Sequence, residues 1–284
     1  MDFIDFARAH GLILDHVVGG TWKRVPTTDH PRKTNGAYKL MGRVGWVQNH
    51  ATMVEPERWT SDEPLTEVQH QQVLRQAAEF TEKQRNGWAR AAERAQQLID
   101  AAKQTEHNYL AYKGLPAQLG LVTPQGELIV PMRHLQTNAL QGAQVITWQP
   151  GIRRYEKKML PGMRAKGAVL RLGPKHAART WLVEGYVTGL SVQAALRLRR
   201  LTDAVLVCFS AGNLQHVAGQ LPGEAAAFAD NDESGTGERV AKATGLPYCM
   251  APTVEWDAND MHVKQGLFRV AALMAGVPLR ERAA

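Results

Sequence analysis

Cysteine is scarce in this chain of 284 residues, which contains only Cys208 and Cys249. Both stand in apolar surroundings that are typical of strands, so we expect two buried thiols rather than a disulfide or a metal pair. A cysteine-rich zinc ribbon is excluded by the count alone. The histidines near the amino terminus are too irregularly spaced to replace it, so no zinc is expected; they are His10, His16, His30 and His50.

Long apolar runs are also missing. No stretch approaches the roughly 20 apolar residues that a membrane-spanning helix requires. Asp2 and Asp5 follow Met1 where a secretion signal would have basic residues and then an apolar core. The sequence therefore predicts a cytoplasmic protein without a membrane partner. Its apolar content of 44% is sufficient for a buried core.

Acidic residues are outnumbered, with 27 Asp and Glu against 34 Lys and Arg, and the formal net charge is +7. The deficit is strongest between residues 126 and 179, where Glu127 and Glu156 are the only acids. This balance favours a polyanionic partner, and a soluble enzyme that is merely basic is the alternative. The residues of this region that we expect to contact nucleotide or DNA are Arg153, Arg154, Lys157, Lys158, Arg164 and Lys166.

Aromatic and basic residues interleave in the first part of the chain, residues 1–62. Asn35-Gly36 predicts a hairpin turn there, so we expect a small β-rich module. Bases stack on aromatic rings while cations hold phosphates, so such a module can bind single strands; aromatics that form the module's own core are the alternative. The candidate single-strand contacts are Trp22, Arg24, Lys39 and Trp46.

Residues 63–104 form a predicted helical connector, because Ala, Gln, Glu and Arg dominate. Pro64 marks its expected start, and Gly87 marks an expected break between two helices. Residues 105–178 indicate a second β-rich piece that carries the basic residues named above.

Strand and helix alternate in the last predicted domain, residues 179–284. This alternation predicts a parallel sheet with right-handed crossovers, flanked by helices. A closing helix is expected from Asp260 onward. The predicted fold class is therefore α/β, with a preceding basic β-rich subdomain and a small amino-terminal module joined by the helical segment. The expected strands are 180–184, 204–208, 225–229 and 247–250.

Carboxylates follow three of these predicted strands. Glu184 ends the first, and Asp230 and Asp232 follow the third, while Asp257 and Asp260 come after the fourth. Ligands of open α/β sheets bind at the carboxyl ends of the strands. Any one of these acids could instead cap a helix or sit in a turn. Carboxylates gathered at one edge repel each other unless a cation intervenes, so the pattern predicts a site for Mg²⁺ or Mn²⁺.

The segments around these acids resemble the Toprim domain, and more narrowly the Toprim domain of phage and plasmid primases. They read Leu-Val-Glu-Gly-Tyr at 182–186, Ala-Asp-Asn-Asp-Glu-Ser-Gly at 229–235 and Trp-Asp-Ala-Asn-Asp-Met-His at 256–262. Segments 108–115 and 127–131 resemble the region that precedes Toprim in bacterial-type primases. The resemblance spans roughly residues 105–268.

The resemblance implies roles for individual residues. Glu184 matches a glutamate with an acid/base or metal role, Asp230 and Asp232 match a metal-binding pair, and Asp257 and Asp260 resemble a later acidic pair. Lys113 lies in the segment that precedes Toprim and is expected to contact nucleotide or DNA. Thr188 stands where bacterial primases carry an aspartate, and the amino-terminal region stands where they carry a zinc-binding domain.

The implied activity is that of a DNA primase-like nucleotidyltransferase with Mg²⁺ or Mn²⁺ as cofactor. Such an enzyme makes short RNA primers on a single-stranded DNA template from nucleoside triphosphates, here in phage or plasmid replication. A replicative helicase is a further partner to test. Two alternatives stay open: a Toprim-type nuclease that uses the same cations, and a non-catalytic single-stranded nucleic-acid-binding accessory protein.

Overall fold

The computed structural model describes residues 1–53, 55–61 and 67–278. They divide into two compact units, Met1–Arg85 and Asn86–Ala284. The predicted boundary between residues 62 and 63, the predicted helix start at Pro64 and residues 279–284 of the last predicted domain lie outside the described residues. Among the residues described, no helix has both the length and the apolar character needed to cross a membrane.

The first unit contains a short helix and a four-stranded antiparallel sheet in the order β1-β2-β3-β4. Its core joins the helix to the sheet, because Phe3 contacts the rings of Tyr38 and Trp59 at centroid distances of 6.0 and 5.4 Å. The elements are α1 (Phe3–Ala9), β1 (Lys23–Val25), β2 (Gly36–Met41), β3 (Val44–Asn49) and β4 (Glu57–Thr60).

The hairpin turn predicted at Asn35-Gly36 is wrong. The tight turn joins Met41 to Val44 instead, and Gly42 supplies a φ of 58° there. Gly36 lies inside β2, where an added Cβ would come within 2.9 Å of Thr27 Cγ2. Close packing, rather than turn geometry, accounts for this glycine.

One 35-residue helix, α2 (Glu67–Ala101), runs through the boundary between the units. The predicted break at Gly87 is wrong. A single glycine inside a helix costs only about 1 kcal/mol, and the surrounding Ala, Arg, Glu and Gln residues favour helix strongly enough to offset it.

The second unit is built on a ten-stranded mixed sheet. Its antiparallel part follows α2 and contains a short helix, α3 (Asn108–Tyr112). β7 is its centre, pairing with β8 along one edge and with β6 and β10 along the other. These strands are β5 (Lys103–Thr105), β6 (Gly120–Val122), β7 (Leu128–His134), β8 (Leu140–Gln149), β9 (Arg154–Met159) and β10 (Ala168–Leu172).

Four parallel strands complete the sheet in the order β14-β13-β11-β12. They are β11 (Arg179–Val183), β12 (Ala204–Val207), β13 (Glu224–Ala229) and β14 (Tyr248–Met250), so all four predicted strands are confirmed to within a residue or two. β12 pairs antiparallel with β10. The predicted parallel sheet is therefore one part of a larger mixed sheet that also includes the predicted basic subdomain.

Helices cover both faces of the parallel strands. They are α4 (Tyr186–Leu198), α5 (Ala211–Ala218), α6 (Thr236–Thr244), α7 (Ala258–Gln265) and α8 (Leu267–Ala275). The closing helix predicted from Asp260 is present but interrupted, because Gly266, with a φ of 88°, separates α7 from α8.

Alternate residues of the strands pack on opposite faces of the sheet, as the two-residue period requires. Trp181 and Val205 pack with α4, α7 and α8, whereas Leu182 and Leu206 pack with α5 and α6. Because both faces are covered, the strands are continuous apolar runs. A further cluster around Tyr109 and Leu110 of α3 joins the antiparallel strands to α4.

Candidate metal centre

Glu184 lies directly after β11, at the carboxyl edge of the parallel strands. Its backbone carbonyl accepts a hydrogen bond from the Phe209 amide at 2.8 Å, which fixes it beside the end of β12. Its side chain is half-buried. Burial raises the pKa of the Glu184 carboxyl above its usual value, and the negative charge of Asp232 raises it further.

Asp230 follows β13 at the same edge and is the most strongly perturbed acid of the site. Burial raises its pKa from 3.8 to about 7, with further contributions from the charges of Asp257, Glu184 and Asp232. The Lys157 charge acts in the opposite direction. The Oδ1 atom of Asp230 is inaccessible to solvent and has no hydrogen-bond partner among the described residues. A buried oxygen of this kind is costly unless something binds it.

Asp232 differs from Asp230 because it already has partners. Its carboxylate accepts hydrogen bonds from the Ser234 hydroxyl, from the Thr236 amide at 3.1 Å and from the Gly237 amide at 2.8 Å. The Ser234 hydrogen bond contributes most, followed by the Gly237 amide, to a pKa lowered to about 2. Asp232 is thus a permanent anion at the start of α6, while Asp230 titrates near neutrality.

Asp257 and Asp260 form the capping box of α7. Asp257 Oδ1 accepts from the Asp260 amide at 2.8 Å, and Asp260 Oδ2 accepts from the Asp257 amide at 3.4 Å. Thr188 donates its hydroxyl to the second oxygen of Asp257 at 2.6 Å. The helix-cap alternative considered from the sequence therefore applies to both residues.

Two adjoining cavities bring the five predicted acids together. Glu184, Asp230 and Asp257 line a cavity of about 220 Å³. A second cavity of about 190 Å³ contains Asp230 and Asp257 again, with Asp232 and Asp260. Within the described ranges, no three Asp, Glu, His or Cys side chains close on one point as a preformed cation site.

The residues present nevertheless fit a hard divalent cation. The acidic side chains of the two cavities offer oxygen ligands only, which is what Mg²⁺ and Mn²⁺ prefer. The unpartnered Asp230 oxygen provides one free ligand position.

Lys157 is the cation that lies in the acidic site. It projects from β9 into the cavity that contains Glu184 and Asp230, and its Nζ atom lies 5.7 Å from the centre of the Tyr109 ring. The adjacent Lys158 pairs with Glu156 at 2.9 Å. Arg153 and Arg154 are exposed, in the turn before β9 and at its first residue.

The other predicted basic contacts lie elsewhere in the second unit. The Lys113 carbonyl at the end of α3 accepts a hydrogen bond from the Asn259 amide group at 2.8 Å. The Arg164 guanidinium lies 5.1 Å from the centre of the Trp88 ring. The pKa of His216 in α5 is lowered mainly by burial and further by the positive charges of Lys166 and Arg164. The predicted basic residues therefore lie at more than one place in the second unit.

The predicted single-strand contacts belong to the first unit. Trp22 is 45% exposed, and Arg24 is exposed in β1. Lys39 lies over aromatic rings, with its Nζ atom 5.7 Å from the Trp46 centre and 5.2 Å from the Phe80 centre. Lys39 and Trp46 therefore form one aromatic-cation surface.

Several residues that line the site were not predicted as site residues from the sequence, and three of them carry polar side chains beside the acids. Gln144 and Thr188 line the cavity of Glu184, and Glu255 lines the cavity of Asp232. Thr188 carried a signal, since it lies in the first turn after Glu184. Glu255 could have been found from its position two residues before Asp257. Nothing in the sequence pointed to Gln144, because β8 reaches the site through the pairing of the antiparallel strands.

No protein-family model and no curated protein sequence matches the chain. Among solved structures, the RNA polymerase domain of Mycobacterium tuberculosis primase DnaG is 17% identical, with a TM-score of 0.35 over 60% of this chain and 62% of that one. The zinc binding and RNA polymerase domains of Aquifex aeolicus primase are 13% identical, with a TM-score of 0.38 over 99% of this chain and 84% of that one. This chain spans less than two thirds of the length of the first of these structures. The likeness is one of fold alone.

Proposed function

We propose that the chain is a cation-dependent nucleotidyltransferase of the Toprim primase type, which makes short RNA primers on single-stranded DNA in phage or plasmid replication. One observation carries the proposal: Asp230, with an unpartnered buried oxygen, shares its cavity with Glu184, Asp257 and the cation Lys157. The sequence resemblance at Glu184, Asp230 and Asp232 supports the same assignment.

Asp230 and Asp232 would hold Mg²⁺ or Mn²⁺, together with Glu184, Asp257 and Asp260. Such a cation, when bound, positions a triphosphate and stabilises charge on the attacking and leaving oxygens. Asp230 must lose its proton to become a ligand, because only the ionised carboxylate binds a cation well. Asp232 needs no such change, because hydrogen bonds at the start of α6 keep it ionised.

In the proposed reaction, the 3′-hydroxyl of one nucleotide attacks the α-phosphorus of the next. A new phosphodiester bond forms, the bond to the β-phosphate breaks, and pyrophosphate leaves. Glu184 would accept the hydroxyl proton, since its raised pKa makes it a better base than an exposed glutamate. Lys157 would neutralise the triphosphate beside the same cavity, and Thr188 orients Asp257.

The test is incorporation of labelled ribonucleotides on single-stranded DNA with Mg²⁺ or Mn²⁺, in the presence and absence of the cognate replicative helicase. Wild-type protein should give short RNA products, and Asp230→Asn should give none while remaining folded. Asp100→Asn is the matched control, because Asp100 is exposed on α2, far along the chain from the acids, and accepts a hydrogen bond from Gln96.

Other outcomes of the assay would favour one of the two alternative functions. Template nicking without incorporation would indicate the nuclease, since the same carboxylates serve hydrolysis. Binding of single strands that is unaffected by EDTA, with no turnover, would indicate the accessory protein. Full activity of Asp230→Asn would contradict the proposed cation site whatever the product.

A further inference from the structure

A second charged cavity lies in the same unit, away from the acidic site. It has a volume of about 620 Å³ and contains no Asp or Glu. Its cationic and imidazole side chains come from the ends of β7 and β10 and from the loop after β10. They are Arg133, His134, Arg171, Lys175 and His176.

The two sites open on different parts of the sheet. Val169 belongs to the cluster that packs with α5, whereas Tyr109, over which Lys157 lies, belongs to the cluster under α4. Arg133 is opposite Val169 in the pairing of β7 with β10. Arg171 is two residues from Val169 in the same strand, so its side chain points to the same face. No residue lines both this cavity and either acidic one.

The cations of this cavity are largely uncompensated. Arg171 is half-buried, burial lowers its pKa, and it forms no ion pair or side-chain hydrogen bond with any residue that the structure describes. Arg133 uses one guanidinium nitrogen to bind the Asn138 carbonyl at 3.2 Å. A half-buried guanidinium without a partner is unusual, because the side chain normally keeps its donors in water or in hydrogen bonds.

Two acids of the parallel part of the sheet have partners of their own. Asp203, whose carbonyl lies against Gly173, accepts from the Trp181 indole at 3.3 Å. Glu224 pairs with Arg179 at 2.8 Å. The fold therefore brings at least two guanidinium groups and a lysine to one cavity without a counter-charge.

Much of the remaining lining is apolar. Leu135, Val169, Leu221 and Pro222 contribute to it, and a hydrogen bond of 2.8 Å between Gln136 and Gln220 bridges its rim. Ligand pockets of roughly 300–1,000 Å³ with apolar walls and a few converging polar groups hold small molecules of nucleotide size. Guanidinium groups bind phosphate through paired hydrogen bonds.

We infer that this cavity is a second anion site, which binds a phosphorylated ligand of nucleotide size. Its phosphates contact Arg133, Arg171 and Lys175, and its remaining part rests on the apolar wall. The chemistry is shared by a free nucleotide and by one nucleotide of a single strand. The inference does not depend on the proposed function, since it uses none of the acidic residues.

The test is calorimetric titration of the full chain in EDTA, at fixed low salt, with adenosine triphosphate in one arm and oligothymidylate in the other. Arg133→Gln and Arg171→Gln should each weaken binding roughly ten-fold or more, because each removes charged hydrogen bonds to phosphate. Arg94→Gln is the control, since it removes the same charge from the exposed side of α2. Circular dichroism verifies that each variant is folded.

The two arms separate the sources of the ligand. Arginine-dependent binding of the triphosphate assigns the site to a free nucleotide, and binding of the oligonucleotide alone assigns it to a single strand. Unchanged affinity in both arginine variants, an equal loss in Arg94→Gln, or no binding of either probe would overturn the inference.

Discussion

Replacing Asp230 by asparagine should stabilise the protein, although the residue lies in the proposed active site. Asparagine has nearly the same shape and cannot ionise. The wild-type carboxyl must ionise in a half-buried position, beside Glu184, Asp232 and Asp257, as pH rises. The substitution therefore removes an unfavourable charge and leaves the packing around β13 unchanged.

The magnitude follows from the pKa of Asp230, which rises from 3.8 to about 7 on folding. Each unit corresponds to about 1.4 kcal/mol, so the ionised carboxyl lowers the free energy of unfolding by up to about 4 kcal/mol above pH 7. The folded state holds more protons than the unfolded state between about pH 4 and pH 7. The stability of the wild type therefore falls as pH rises through that interval, and the advantage of Asp230→Asn grows.

Urea unfolding in EDTA, followed by circular dichroism, measures this advantage. It should be near its maximum at pH 8 and about half of that at pH 5.5. Asp100→Asn, which replaces an exposed acid of α2, should change stability by no more than about 0.5 kcal/mol at either pH. Equal stability of wild type and Asp230→Asn at pH 8 would refute the argument from burial and repulsion.

Mg²⁺ should narrow the difference in stability between the wild type and Asp230→Asn if Asp230 is a ligand. A ligand at about 100 times its dissociation constant stabilises the native state by roughly 2.7 kcal/mol. The wild type should gain this stabilisation, and the gain should increase with pH because Asp230 must deprotonate first. Asp230→Asn should gain much less; an equal gain would place the cation elsewhere.

Two further substitutions test the packing and the helix cap that hold the acids in place. Gly237→Ala would press a Cβ against the Asp230 carbonyl oxygen, so urea unfolding should show a loss of about 1–3 kcal/mol and a loss of the Mg²⁺ response. Gly212→Ala in α5 is the control, because nothing lies within 4 Å of its added Cβ, and it should keep the response. Asp257→Ala removes the α7 cap and should cost about 1 kcal/mol, whereas Asp257→Asn should restore the cap without the Mg²⁺ response. A normal Mg²⁺ response in Gly237→Ala or in Asp257→Asn would contradict the proposed geometry.

The parallel strands and the acids that follow them could be predicted from the sequence because both signals are local. Runs such as residues 225–229 are apolar throughout, which is typical of a strand covered on both faces. Predictions that depended on one glycine failed. Gly87 stays within a helix, Gly36 lies inside a strand, and Gly266 splits the expected closing helix, because neighbouring propensity and packing determine what a glycine does.

The antiparallel half of the sheet shows a different limit of prediction from the sequence. The sequence places Lys157, Arg164 and Lys166 in one basic region, but β9 carries Lys157 to the acidic cavity while the other two lie beside His216. Strand pairing determines which cation meets which acid. β8 and β9 form a local hairpin, but their sheet joins the parallel strands through pairings more distant in sequence, such as that of β10 with β12. For the same reason Arg133 and Arg171, 38 positions apart in the sequence, gave no sign that they share a cavity.

By itself, the sequence determined that carboxylates would gather at the carboxyl edge of a parallel sheet, because strand ends and the residues after them are adjacent in the chain. It could not distinguish Asp230 from Asp232, which stand two residues apart after the same strand. Only the tertiary structure separated them. The Ser234 hydroxyl and the amides at the start of α6 bind Asp232 and lower its pKa to about 2. Burial among other acids instead raises the pKa of Asp230 to about 7, and its Oδ1 atom has no hydrogen-bond partner among the described residues.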